Sequence, residues 1–297
     1  MGKVPSKSAP EGWDRAIRMV PAHEADYPSW WPSVVSAAER IGCSPPSLHE
    51  SVERVEMDGG KTATHAFAQT LYGYWEAAGR VGAARQNVLG RMYQYGSGVS
   101  QDLVRAANCY RRAADRGSAR GQVNLGVMYA NGMGVARNYA RAASWFRKAA
   151  DQGNAAGQVN LGALYESGLG LVPDYHQALS WYLKAVSQGH AQGQANLGKM
   201  FADGKGVVKD YAEASSWYRR AADQGNATGQ FRLGRLYETG RGLAQDYVQA
   251  FIWFHLSAAG TTDPSLLDYA VESRDRSAAR LTREQLAEAQ KQARLMS

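Results

Sequence analysis

Residues 118–153, SARGQVNLGVMYANGMGVARNYARAASWFRKAADQG, are one copy of a pattern that recurs every 36 residues. Each copy contains a Leu-Gly pair, and a Gly-x-Gly triplet begins seven residues after its leucine. The leucines of the pair are Leu89, Leu125, Leu161, Leu197 and Leu233. A fixed period of this length is the signature of an array of identical supersecondary units. The sequence therefore predicts five units without a shift in register.

Each unit has helical periodicity in two parts. Gln122, Leu125 and Tyr129 fall on one helix face. The glycines of 132–134 then interrupt that helix, and a second apolar pattern follows over 139–152. Neither short helix can bury its apolar face alone. The predicted fold class is therefore all-α, a right-handed α-solenoid of five 36-residue helix hairpins with terminal capping helices.

The size of the side chains predicts how these helices pack. Gly126 and Ala142 are small, and we expect them to let the two helices of one hairpin approach closely. Tyr129, Trp145 and Phe146 are bulky, and we expect them to fill the space between neighbouring hairpins.

This unit resembles the Sel-one-like repeat, a relative of the tetratricopeptide repeat, over about residues 83–260. The resemblance implies a non-enzymatic scaffold or adaptor that binds protein partners and needs no cofactor. Residues 261–297 resemble the closing segment of bacterial proteins of this family, and we expect capping helices there and over 61–82. A secreted subgroup joins the helices of each repeat through a disulfide, but this chain lacks the cysteine pairs of that subgroup.

A partner-binding groove is predicted on the concave face, by analogy with tetratricopeptide geometry. It consists of first-helix positions that differ between the units. These positions are Arg91, Gln94, Tyr95, Asn131, Glu166, Lys199, Asp203, Arg235 and Glu238. Mixed charge suits an extended polar peptide or a partner helix. Ordinary solvated helix surface is the open alternative for each residue.

The groove hypothesis makes one prediction at this stage. Charge reversal at Lys199 and Arg235 together should abolish partner capture without lowering helicity.

The first sixty residues share nothing with the repeat. Residues 1–12 are expected to be disordered, and residues 13–60 have the layout of a small helix-turn-helix. RAIRMV, YPSWW and the turn IGCS resemble the DNA-binding segment of insertion-sequence transposases, in the small first-frame protein. This resemblance implies DNA contacts by Ser44, Ser47, His49 and Arg54.

The charge of this segment opposes that role. Residues 1–60 hold six Lys/Arg against nine Asp/Glu, although the whole chain has a net charge of +7. Because phosphate contacts supply most non-specific DNA affinity, an acidic segment binds DNA poorly. Two interpretations stay open, a DNA-binding module that tethers the scaffold and a decayed transposase fragment.

The composition of the 297 residues excludes several classes of protein. The 8 Trp, 16 Tyr and 6 Phe exclude disorder over the whole chain. No run approaches the roughly 18 to 20 apolar residues of a membrane span, and no secretory leader is evident. Two cysteines and six scattered histidines form no metal-ligand motif, so no metal, small-molecule substrate or membrane partner is expected. We expect a cytoplasmic protein.

Basic residues also recur along the second helices. They are Arg111, Arg112, Arg147, Lys148, Lys184, Arg219 and Arg220. Because they flank a buried aromatic residue, we expect them on the convex, solvated face. Binding of an acidic partner or nucleic acid by this row is a minor alternative.

Overall fold

A computed structural model describes residues 82–296, which contain twelve α-helices and no strand. The first helices of the five hairpins are α1 (Ala83–Tyr95), α3 (Ala119–Asn131), α5 (Ala155–Ser167), α7 (Ala191–Asp203) and α9 (Ala227–Thr239). The second helices are α2 (Leu103–Asp115), α4 (Tyr139–Asp151), α6 (Tyr175–Val186), α8 (Tyr211–Asp223) and α10 (Tyr247–Gly260). Two further helices follow, α11 (Pro264–Ala278) and α12 (Arg283–Met296).

The predictions for 1–12 and 13–60, with the four DNA-contacting residues Ser44, Ser47, His49 and Arg54, lie outside the described residues. The capping helix predicted over 61–82 also lies outside them, except for Gly82.

The prediction of an all-α solenoid of helix hairpins is confirmed. The chain divides into two compact units between Ala113 and Ala114. In the second unit, each first helix packs against the second helix of its own hairpin, and that second helix packs against the first helix of the next hairpin. First helices of successive hairpins also touch, as α3, α5, α7 and α9 do in order. The first helices therefore form one continuous face of this unit.

Capping residues set where these short helices begin and end, as α5 and α6 show. Asp174 precedes α6, and its carboxylate accepts hydrogen bonds from the backbone N–H groups of His176 and Gln177. Gly168 ends α5 with a φ of +70°, and its N–H donates to the carbonyl of Leu164. Only glycine adopts this left-handed conformation at little cost, so the helix stops there.

The glycine of each Leu-Gly pair makes room for an aromatic ring. A Cβ built on Gly126 would lie 2.5 Å from the ring of Phe146, on the second helix of the same hairpin. The same contact recurs between Gly162 and Tyr182, at 2.7 Å. Phe146 therefore packs against the first helix of its own hairpin, where the sequence predicted a contact between neighbouring hairpins.

The second glycine of a Gly-x-Gly triplet joins neighbouring hairpins. Gly170 has a φ of +71°, and a Cβ there would lie 2.4 Å from the carbonyl carbon of Tyr139, at the start of α4. Gly242 stands in the same relation to Tyr211, at 2.3 Å. The loop of one hairpin thus rests directly on the backbone of the hairpin before it.

The two C-terminal helices cover the end of the array. Both α11 and α12 pack against α10. Asp263 caps α11, whose first residue is Pro264. Thr282 and Gln285 form a reciprocal capping box at α12, with N–H to side-chain distances of 3.0 and 3.2 Å. Among the helices of residues 82–296, none combines the length and the apolar character that a crossing of the bilayer requires.

Candidate functional site

The nine residues of the predicted groove all lie in first helices, at or near the C-terminal end. Five of them are exposed, namely Arg91, Tyr95, Asn131, Asp203 and Arg235. The other four are half-buried, namely Gln94, Glu166, Lys199 and Glu238. In the first compact unit, the Gln94 side-chain oxygen accepts a hydrogen bond of 2.7 Å from the Tyr110 hydroxyl. The half-buried residues of the second unit all make contacts with other hairpins or terminal helices.

Glu166 is the centre of a polar cluster between the third and fourth hairpins, here called the Glu166 cluster. Its side chain is 9% exposed, and its carboxylate accepts a 2.7 Å hydrogen bond from Lys199 Nζ of α7. Tyr182 of α6 donates its hydroxyl to the other carboxylate oxygen at 3.0 Å. Lys205 Nζ, in the loop after α7, lies 3.6 Å away. The cluster therefore joins the two hairpins through one carboxylate and two ammonium groups.

The charge of Glu166 is stabilised by these neighbours. Burial by itself favours the neutral acid, but the hydrogen bond and the charge of Lys199, with Tyr182 and Lys205, outweigh burial. They lower the pKa of the Glu166 carboxyl below its usual value. A paired, ionised carboxylate of this kind is a structural element, because removing either partner leaves a half-buried charge without compensation.

Glu238 is also paired within the chain. Its side chain is 14% exposed, and its carboxylate lies 2.7 Å from Nε of Arg276 in α11. Hence Glu166 and Glu238 are each neutralised by a cation of the element that follows in the array. Glu166, Lys199 and Glu238 are therefore held in intramolecular ion pairs at 2.7 Å, and Asp203 forms a longer pair with Lys205 at 4.0 Å.

A cavity of about 140 Å³ lies among α7, α8 and α9, here called the arginine cavity. Its lining contains two predicted groove residues, Asp203 and Arg235. The other lining residues are Ala202, Tyr211, Tyr218, Arg232, Leu236, Thr239 and Arg241. Among all nine lining side chains, three carry a guanidinium group and only Asp203 carries a carboxylate, so the cavity has a net positive charge.

Arg232 and Arg235 form no ion pair within residues 82–296. Arg241 contacts Tyr211, with Nη1 3.5 Å from the hydroxyl and its guanidinium carbon 5.6 Å from the ring centroid. A tyrosine hydroxyl is protonated at neutral pH, and burial raises the pKa of Tyr218 further, so this hydroxyl can donate a hydrogen bond. These groups together offer hydrogen-bond donors to an anion.

Sequence reasoning missed Arg232, Arg241 and both tyrosines of the cavity. The two arginines carry a signal that could have found them. Arg232 stands where the three preceding units have Asn124, Asn160 and Asn196. Arg241 occupies a position that is uncharged in the first three units. Both arginines belong to the fifth unit, and the fold brings them to one cavity.

Five of the seven basic residues of the second helices contact aromatic side chains, namely Arg147, Lys148, Lys184, Arg219 and Arg220. Arg147 donates a hydrogen bond to the hydroxyl of Tyr165 in the next hairpin. Lys148 and Lys184 lie 4.0 and 3.8 Å above the tryptophan rings of their own helices. Each of these contacts provides a modest cation–π attraction. The row therefore contributes to the packing of the hairpins.

Comparison with known proteins identifies the repeat. The family model described as Sel1 repeat matches residues 86–118, 119–154, 155–190, 191–226 and 227–261. A crystal structure of a Sel1 repeat protein from Oxalobacter formigenes is 30% identical, with a TM-score of 0.52. The alignment covers 64% of this chain and 86% of that protein.

A separate similarity concerns a short segment. A 12 kDa protein of insertion element IS629 is 38% identical over 55 residues, both in Shigella flexneri and in Shigella sonnei. The match covers 18% of this chain and 51% of each relative. The chain therefore spans about half the length of the curated relatives it matches. This similarity supports the transposase-like character inferred for the N-terminal segment.

Proposed function

The chain belongs to the Sel1 repeat family, whose members are protein-interaction scaffolds, and we propose that it is a non-enzymatic scaffold that binds a partner protein along the face of its first helices. The partner would present an extended segment or a helix to this face, which are common modes of peptide recognition.

The observation that carries this proposal is the unequal pairing of charges on the face. Glu166 and Glu238 are held in ion pairs, and such pairs fix the relative positions of neighbouring hairpins. Arg235, in contrast, is exposed and borders the arginine cavity. An exposed, unneutralised charge beside a cavity is suited to select a partner by charge and to speed its association.

A selection from a displayed peptide library, with the full chain as bait, tests this proposal. We expect enriched peptides whose affinity falls about tenfold in Arg235→Glu, because reversal of one interfacial charge costs about that much. Arg220→Glu makes the same change on exposed α8 and should leave the affinity unchanged. The proposal is contradicted if no peptide is enriched, or if Arg235→Glu and Arg220→Glu bind equally well.

Association with DNA is a second candidate function, favoured by the similarity to the IS629 proteins. The candidate contacts are Ser44, Ser47, His49 and Arg54, of which only Arg54 is a permanent cation. Because the first sixty residues are acidic overall, any such binding would depend strongly on this residue and on salt.

Fluorescence anisotropy of a labelled insertion-element end tests the DNA alternative with the full chain. If the segment binds DNA, Arg54→Glu should abolish the anisotropy increase at low salt, and wild-type binding should weaken steeply as salt rises. Absence of binding by the wild type at low salt would exclude this function. Binding that Arg54→Glu leaves intact would assign it to other residues.

A further inference from the structure

Two consecutive junctions between hairpins share one arrangement of side chains. At the junction of the third and fourth hairpins, Tyr182, Lys199 and Lys205 surround the carboxylate of Glu166. The residues 36 positions later, at the junction of the fourth and fifth hairpins, are Tyr218, Arg235, Arg241 and, in place of Glu166, Ala202. All four border the arginine cavity. The second junction thus keeps the tyrosine and the cations but lacks the carboxylate.

The missing carboxylate leaves both space and unused donors. The Tyr182 hydroxyl donates to Glu166, whereas the Tyr218 hydroxyl has no hydrogen-bond acceptor among residues 82–296. Within the same residues, Arg235 has no carboxylate partner where Lys199 has Glu166. The cavity of about 140 Å³ is roughly ten times the 10–15 Å³ that a single water molecule needs. It can therefore receive a carboxylate together with part of its side chain.

The other junctions of the second compact unit are balanced in charge. At the junction of the second and third hairpins, Ala130 occupies the position equivalent to Glu166. Ala163 and Leu169 occupy the positions equivalent to the two lysines, so the carboxylate and both cations are absent there. Where Glu238 occupies that position, Arg276 supplies the cation at 2.7 Å. The Ala202 junction is the exception within residues 114–296, because its arginines form no ion pair with a carboxylate.

We propose that the arginine cavity binds a carboxylate side chain of the partner protein, at the place that the Glu166 carboxylate occupies one hairpin earlier. The partner segment would therefore be acidic, with a glutamate or aspartate as the residue that enters the cavity. This inference rests on the proposed function, because it names the chemistry of the partner that the first-helix face selects.

Arginine is well suited to this role. Its planar guanidinium binds a carboxylate through two parallel hydrogen bonds, which adds orientation to charge. Arg232 is an additional cation here, since Asn196 stands at its position in the Glu166 cluster. Asp203 at the rim reduces the positive charge, so a singly charged carboxylate fits better than a doubly charged phosphate. The net charge of +7 of the chain also favours an acidic partner.

The test uses two blocked pentapeptides, acetyl-GGEGG-amide and acetyl-GGQGG-amide, titrated into the full chain by NMR. We expect the glutamate peptide to bind about tenfold more tightly than the glutamine peptide. Ala202→Glu places an internal carboxylate in the cavity, as in the Glu166 cluster. It should weaken binding of the glutamate peptide about tenfold and raise the thermal unfolding midpoint.

Ala130→Glu is the matched control, because it makes the same substitution at the equivalent position of an uncharged junction. It should leave the affinity unchanged and should not raise the midpoint. The double variant Arg232→Gln/Arg235→Gln removes two of the three cations of the cavity without filling it, and should also weaken binding of the glutamate peptide. It keeps the test decisive if Ala202→Glu fails to fold.

Three results would overturn the inference. These are equal binding of the two peptides, an affinity that neither the Ala202→Glu nor the double variant changes, and inorganic phosphate binding more tightly than the glutamate peptide. The outcome is separable from that of the proposed function. If library peptides are enriched but the glutamate and glutamine peptides bind equally, the scaffold function stands and the carboxylate site is refuted. If the glutamate peptide binds the cavity but no library peptide is enriched, the carboxylate site stands and the scaffold function is refuted.

Discussion

Gly170→Ala is expected to lower the free energy of unfolding by about 3 kcal/mol. An L-residue in the left-handed conformation costs about 1–2 kcal/mol, and Gly170 has a φ of +71°. Its added Cβ would also lie 2.4 Å from the backbone of Tyr139, and overpacking of this kind costs a further ~1–3 kcal/mol. Because this contact joins two hairpins, the substitution should also weaken the coupling between them.

Gly153→Ala separates the two causes. Gly153 has a φ of +80°, but nothing lies within 4 Å of its Cβ position, so only the conformational cost of about 1–2 kcal/mol applies. The measurement is urea unfolding of both variants, followed by far-ultraviolet circular dichroism, which reports helix content. Equal losses in the two variants would show that the contact with Tyr139 contributes nothing.

Lys199→Glu is expected to destabilise the fold by about 3 kcal/mol, because it breaks a half-buried ion pair and also brings a second carboxylate towards Glu166. Arg235→Glu makes the same change in charge at the equivalent position one hairpin later. That position has no carboxylate partner within the described residues, so the expected loss is within about 0.5 kcal/mol.

Urea unfolding of these two variants and of Glu166→Lys/Lys199→Glu checks this prediction. The double variant exchanges the charges and should recover part of the loss, because opposite charges again face each other. Similar stability of Lys199→Glu and Arg235→Glu would contradict the structural role of the Glu166 cluster. The sequence alone suggested reversing both charges as a test of partner capture. The ion pair of Lys199 makes Arg235→Glu alone the cleaner functional variant.

The repeating part of the fold was predictable because its determinants are local. Gly168 adopts the left-handed conformation that ends its helix, and Asp174 caps the next helix from the position directly before it. These requirements recur with every unit, so the period of 36 residues displays them directly.

The candidate site was predictable only in part. First-helix positions that differ between units include Arg235 and Asp203, which do border the arginine cavity. Arg232 and Arg241 were missed because a repeat pattern marks what the units share, whereas these residues are departures from it.

The sequence by itself determined the helix hairpins, their number and the register in which their helices begin and end. Only the tertiary structure decided which charges are paired, since Glu166 meets Lys199 33 residues away and Glu238 meets Arg276 38 residues away. Contacts over such separations depend on how the hairpins stack, and side-chain reach across a junction is set in three dimensions. For the same reason, a single alanine at 202 has no evident meaning in the sequence. In the fold, this alanine leaves Arg235 and Arg241 without the carboxylate that Glu166 supplies one hairpin earlier.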